Sequence, residues 1–263
     1  MRTPFLSRLS HFCGWLADLR LPGPLRAPIY RTYAKAYGVN LDELRLALSA
    51  HPSLSAFFVR RLKDGARVFA DDPRLLPSPA DGRFQAIDPV REGTILQAKG
   101  QPYPVRELLA GADEGVDLEG GWAWTIYLSP RDYHRVHAPE ACELEQVRWA
   151  AGSRYSVQPK VLLKRPGVLA GNERAVLRLA TATSPLFLVM VGALNVGRIR
   201  VVGVEHGDRH PRTPKSFARG GELARFEMGS TVVLIAPPGG PRPVEGLGLG
   251  DAIRMGSPIG RRP

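Results

Sequence analysis

The side chains able to do chemistry fall in four separated segments of the chain. Two of the six histidines stand three residues apart in Asp132-Tyr133-His134-Arg135-Val136-His137-Ala138-Pro139, directly after the apolar run Trp122 to Leu128. A histidine pair can ligate a metal, but no cysteine or Glu-x-x-His cluster completes a zinc set, so no metal is expected. Asp81 sits in the turn sequence Ser78-Pro79-Ala80-Asp81-Gly82, and Gly192-Ala193-Leu194-Asn195-Val196-Gly197 is a run of mostly small residues after an apolar strand. The fourth segment, Lys215 to Val233, contains the most specific run, Phe226-Glu227-Met228-Gly229-Ser230-Thr231-Val232-Val233. Each segment alone has an ordinary structural account. An aspartate bonds the backbone of its own turn, a histidine is satisfied in a core, the small residues form a tight hairpin, and Gly-Ser-Thr sits in a loop. Their combination is what stops looking accidental.

The elements that must position these residues change character along the chain. Phe5, Leu9, Phe12, Leu16 and Leu19, with Trp15 alongside, follow the 4-3-4-3 spacing of one helical face, either packed on its own domain or lying in a membrane interface. Leu21-Pro22-Gly23-Pro24 ends that helix. A second helix is predicted from Leu41 to Leu48, capped by Asn40 with Asp42 and Glu43 in its first turn, and a third from Leu54 to Leu62. After Pro77, short runs rich in Val, Ile and aromatics predict strands at Trp122–Leu128, Ala175–Leu179, Leu186–Val191, Ile199–Val204 and Thr231–Ile235. The predicted class is α+β, with N-terminal helices over residues 1–70 and a mostly antiparallel β domain over residues 71–263.

Composition narrows the partners. The 263 residues are 44% hydrophobic and 23% charged, an ordinary globular balance able to bury a core. Lys and Arg outnumber Asp and Glu by 36 to 25, giving a formal charge of +11 that attracts anionic surfaces. The basic residues are scattered, without a helix-turn-helix, zinc-finger or aromatic RNA-binding signature, which places a membrane ahead of nucleic acid. Cys13 and Cys142 support neither a disulfide framework nor a metal site and suit a reducing compartment. The longest apolar run, Pro185 to Leu194, is about half the ~20 residues of a spanning helix. Polar residues interrupt the N-terminus too often for a signal peptide.

Taken together, the segments resemble the phosphatidylserine decarboxylase family in its membrane-bound bacterial and mitochondrial type. The likeness covers roughly Phe57 to Gly260. It opens with Phe-x-x-Arg-x-Leu-Lys-x-Gly-Ala-Arg at Phe57 to Arg67 and continues through Ser-Pro-x-Asp-Gly, Tyr-His-Arg-Val-His-x-Pro and Gly-Ala-x-x-Val-Gly to Lys-x-Phe-x-x-Gly-x-Glu-x-x-x-Phe-x-x-Gly-Ser-Thr. Met228 replaces the leucine common before Gly-Ser-Thr, a volume-conserving change. The tail from Gly248 to Gly260 resembles the hammerhead turns of carrier domains but offers no lysine there. It implies a barrel-sandwich, carrier-like β architecture and no carrier function.

The resemblance implies a self-cleaving proenzyme whose only cofactor is a covalent pyruvoyl group. Asp81, His137 and Ser230 match the family's self-cleavage triad, in which a base activates the hydroxyl and a third group orients the base. Ser230 Oγ would attack the Gly229 carbonyl, moving the acyl group from nitrogen to oxygen. Elimination of that ester frees the Gly229 carboxylate, and hydrolysis of the remaining dehydroalanine gives pyruvoyl and ammonia. Chains 1–229 and 230–263 would stay together as a heterodimer, with a higher oligomer open. The pyruvoyl ketone would form a Schiff base with phosphatidylserine and act as electron sink. His134 matches the residue that protonates the carbanion left when carbon dioxide departs, and hydrolysis of the imine then yields phosphatidylethanolamine. The implied location is peripheral, on the cytoplasmic face of the cell membrane.

Two other readings remain, and chain count separates the second from a pyruvoyl enzyme. A related decarboxylase could act on another amine-bearing phospholipid or small molecule, and a noncatalytic β-rich module for anionic surfaces would remain one chain. A conventional serine hydrolase would need the Gly-x-Ser-x-Gly elbow, which is absent around Ser230.

Overall fold

The computed structural model describes residues 14–98, 101–193, 198–211, 214–227 and 230–263. Its centre is an antiparallel sheet in the spatial order β11 (Ser216–Phe217), β7 (Cys142–Ala150), β8 (Arg174–Thr181), β9 (Leu186–Gly192), β13 (Ser230–Ala236), β5 (Trp122–Leu128), β2 (Gly82–Pro89) and β15 (Ala252–Ile253). Among the described residues this sheet ends at β11 and β15 without closing on itself. Three smaller sheets accompany it: β1 (Leu75–Pro77), β16 (Pro258–Arg261) and β14 (Arg242–Pro243); β10 (Ile199–Val201), β12 (Glu222–Phe226) and β6 (Arg135–His137); and the hairpin of β3 (Thr94–Ala98) with β4 (Gln101–Pro104). The α+β class with an antiparallel core is what the chain adopts.

The best-read strands are those buried on both faces. All seven residues of β9 and of β13 are buried, and such strands appear in sequence as unbroken Val/Ile/Leu runs. Predicted and observed bounds differ there by a residue or two. The run Ile199–Val204 is cut short, because Val201 pairs back to Val204 in a turn.

The helical region departs further from expectation. Residues 14–18 are helical, and the earlier part of the predicted amphipathic face lies outside the described residues. That helix stops at Asp18, ahead of Pro22-Gly23-Pro24, which instead starts another, Gly23–Tyr37, since proline in a first turn loses no hydrogen bond. The helix predicted from Leu41 to Leu48 is absent. Asn40 Oδ1 accepts from the Asp42 amide at 3.0 Å, capping a tight turn. Beyond it Arg45 N donates to Arg61 O and Lys63 N to Glu43 O, so residues 43–45 pair with 61–63. This pairing also shortens the third helix to Leu54–Phe58, whose N-terminus Ser53 Oγ caps through the Ala56 amide. Tyr30, Ala34, Val39, Leu44 and Phe57 form a small core of their own beside the main one, with Tyr30 and Phe57 stacked at 4.9 Å.

Candidate active site

Ser230 opens β13 and is paired with Leu128 at the end of β5 on one side and Gly192 at the end of β9 on the other. It is fully buried, and its hydroxyl has no hydrogen-bond partner among the described residues. Gly229 and Met228 lie outside those residues, as do Leu194, Asn195, Val196 and Gly197.

The chain leaving Leu128 folds straight back. Ser129 N and Oγ both donate to Asp132 Oδ2, at 2.7 and 2.6 Å, and Asp132 N donates to Ser129 O. This side-chain turn, typical of Ser and Asp in sequence, delivers His134 beside β12, where the Phe226 amide donates to the His134 carbonyl. His134 is fully buried, with its ring 4.0 Å from that of Phe58. Nδ1 lies 2.9 Å from the Asp132 carbonyl. A carbonyl only accepts, so Nδ1 carries the proton and Nε2 is a lone pair. That lone pair is buried and unpartnered. Burial lowers the His134 pKa to about 3, with the Arg60 charge adding to the effect against the Asp132 carbonyl, so the imidazole is neutral.

His137 ends β6, held by its amide to Pro79 O at 2.8 Å. That bond brings the Asp81 turn alongside the histidine segment. The His137 Nδ1 donates to Gly220 O at 2.8 Å, and the Tyr133 hydroxyl donates to Nε2 at 3.2 Å. Gly220 adopts φ +80°, a backbone that glycine reaches without cost and that presents its carbonyl to the ring. Burial again lowers the histidine's pKa, and raises that of Tyr133 to about 12.

Asp81 is engaged elsewhere. Arg67 grips it with Nε at 2.8 Å and Nη2 at 2.5 Å, and the Met255 amide donates to Oδ1 at 2.8 Å. Arg67 also reaches Glu43 at 3.0 Å. The next residue must be small: a Cβ on Gly82 would stand 2.4 Å from the Tyr127 carbonyl. Among the described residues no side-chain hydrogen bond joins Asp81 to His137 or His137 to Ser230. No three His, Cys, Asp or Glu side chains there gather as a metal set.

Comparison with known proteins bears on this arrangement directly. Residues 54–261 match the phosphatidylserine decarboxylase family. The chain belongs to that family. It is 39% identical over 242 residues to a protein of Xanthomonas campestris, covering 88% of this chain and 86% of the relative, and 40% identical over 245 residues to one of Xanthomonas oryzae, with the same two shares. A relative from Pseudomonas putida is 36% identical over 265 residues, covering 95% of this chain and 92% of its own. All three are named phosphatidylserine decarboxylase proenzyme.

Several residues of this decarboxylase's site carry no chemical signal in sequence. Arg67 falls inside the family opening, yet nothing in its neighbours points to Asp81. Tyr133 stands between Asp132 and His134 as an ordinary aromatic. Gly220 acts through its backbone, and Phe58 through a ring face. The only cue was that Arg67, Tyr133 and Gly220 stand at fixed positions of the family's motifs.

Proposed function

We propose that this decarboxylase is a proenzyme that cuts its own chain between Gly229 and Ser230, converts Ser230 to a pyruvoyl group, and then removes carbon dioxide from phosphatidylserine to leave phosphatidylethanolamine. The supporting observation is a pair of fully buried, unpartnered atoms, Ser230 Oγ at the start of β13 and His134 Nε2 six residues after its β5 partner Leu128. Leaving a buried polar atom unpaired costs about 1–3 kcal/mol, a cost that function accounts for. An orphaned hydroxyl at residue 230 also fits a side chain that is consumed to make the cofactor.

In self-cleavage the Ser230 hydroxyl loses its proton as Oγ bonds to the Gly229 carbonyl carbon. The carbon–nitrogen bond then breaks, and the base returns the proton to the Ser230 nitrogen. His137 is assigned as that base and Asp81 as its electrostatic support, through the backbone contact that sets their segments side by side. The Tyr133 hydroxyl must first release His137 Nε2.

In decarboxylation the pyruvoyl group supplies the sink for the electrons released with carbon dioxide. His134 is assigned to deliver a proton to the substrate's α-carbon through Nε2, and the substrate's own charges must offset the burial that keeps the ring neutral without it. The sealed surroundings keep water from competing for that carbon.

Intact-mass measurement of the purified protein tests the reading. Two chains are expected, residues 1–229 and 230–263, the smaller lighter by one ammonia than a serine-initiated peptide. A single full-length chain after prolonged incubation would overturn it.

A further inference from the structure

Arg60 is 4% exposed, yet no carboxylate lies within ion-pair distance of it among the described residues. A buried guanidinium without a counterion is costly unless its donors are well used. Its Nη2 donates to the carbonyls of Arg131 at 2.6 Å and Asp132 at 3.0 Å, while its Nε–H remains unpartnered. The Asp132 carbonyl is the one that accepts from His134 Nδ1. One oxygen thus receives Arg60 Nη2 and the ring of His134. Two residues before Arg60, Phe58 lays its ring against the same imidazole. The short helix Leu54–Phe58 and its exit therefore set both the acceptor and one wall of His134. Arg60 itself lies 5.6 Å from the Phe57 ring centroid.

We propose that Arg60 is a positioning residue for proton transfer by His134: it fixes the Asp132 carbonyl, which selects the Nδ1–H tautomer and leaves Nε2 as the working nitrogen. Arg60 acts through another group, the Asp132 carbonyl. One nitrogen bonded to two successive carbonyls holds the 131–132 and 132–133 peptides against rotation. Without it that carbonyl is free to turn, the ring loses its acceptor, and the opposite tautomer offers an N–H where a lone pair is required. The inference rests on the assignment of His134 to decarboxylation.

The test compares parent, Arg60→Gln, His134→Ala and the double variant Arg60→Gln/His134→Ala, each as cleaved enzyme on phosphatidylserine in detergent micelles. Arg60→Gln should lower kcat roughly 10- to 100-fold, as small displacements of a reacting group do, with KM within about twofold. In the His134→Ala background it should cost nothing further, since its effect runs through that ring. Nitrogen-15 spectra of labelled histidines should show the Nδ1–H form of His134 in the parent and a tautomer mixture in Arg60→Gln. Parental kcat in Arg60→Gln, losses that multiply in the double variant, or an unchanged tautomer would overturn the proposal. Should Arg60→Gln fail to fold, Arg60→Lys enters the same cycle, because it keeps the charge but its tetrahedral ammonium does not keep the planar guanidinium nitrogen between the two carbonyls. If the parent itself releases no carbon dioxide, the proposed function fails, while the tautomer comparison still decides whether Arg60 holds the ring.

Discussion

The Tyr133 hydroxyl donates to Nε2 of His137, occupying the nitrogen that a general base would use. With Nδ1 committed to the Gly220 carbonyl, the ring is a neutral acceptor already filled. Tyr133→Phe should therefore free the lone pair. Its precursor is expected to mature at least as fast as the parent, at a stability cost of about 1 kcal/mol for the lost hydrogen bond. A cleavage time course on denaturing gels checks this, and a Tyr133→Phe chain that stays intact would mean that the hydroxyl itself relays the proton.

Ser230→Ala should give one uncleaved, inactive chain, because neither the ester nor the pyruvoyl group can form without the side-chain oxygen. Two chains broken before residue 230 would refute self-cleavage by this hydroxyl.

The two histidines should fail at different stages. His137→Ala should accumulate precursor, whereas His134→Ala should mature but decarboxylate slower by ~100- to 10,000-fold, the usual cost of losing an acid–base group. Chain cleavage measured beside carbon dioxide release separates them, and the reverse pattern exchanges their roles. Asp81→Asn should also accumulate precursor, with an added loss of stability. Arg67 and Asp81 side chains are 7% and 9% exposed, and breaking a buried pair costs on the order of 3 kcal/mol. Thermal melts of Asp81→Asn that match the parent would show that the pair contributes little to stability.

Acid should weaken the fold through its buried histidines. Burial lowers the pKa of His134 to about 3 and lowers those of His51 and His137. Between pH ~6.5 and ~3 the unfolded chain binds a proton that folded His134 refuses, so stability is complete above that window and lost on acidification. His134 alone contributes a slope of up to ~1.4 kcal/mol per pH unit. Urea midpoints at pH 7 and pH 5, taken in the Ser230→Ala single chain, should draw closer when His134→Gln is added, His51 and His137 keeping part of the difference. Equal pH slopes with and without His134 would contradict the buried, neutral ring.

The N-terminal helix should matter for membranes more than for maturation. Trp15, Leu16, Leu19, Leu25 and Ile29 are exposed on this region, which suits an interfacial helix. Arg198 joins Asp18 of the same region to Glu227, close to the cleavage site. Arg198 and Asp18 are 49% and 39% exposed, and such pairs contribute about 0–1 kcal/mol. Deleting residues 1–21 should lower co-sedimentation with anionic liposomes and leave chain cleavage intact. Unchanged liposome binding would return the helix to a packing role.

Local pattern was enough to read the strands around Ser230. Val232 to Ile235 and Leu186 to Val191 are continuous apolar runs because both their faces are covered, and that shows in adjacent residues. The motif segments proposed Asp81, His134, His137 and Ser230 as one set through the family resemblance alone. Residues 41–48 misled for the opposite reason, since their helix-like caps were outweighed by backbone pairing to residues 61–63.

What only the tertiary structure decided is who bonds to whom. Asp81 answers to Arg67, 14 residues away, and to the Met255 amide, 174 away, while His137 answers to a carbonyl 83 residues on. The tautomer of His134 depends on the Asp132 carbonyl, itself held by Arg60 from 72 residues away. Hydrogen bonds act over about 3 Å, and no spacing along the chain reports which distant atom will arrive within that reach. Residue types therefore fixed the chemistry on offer, and packing assigned each proton its place.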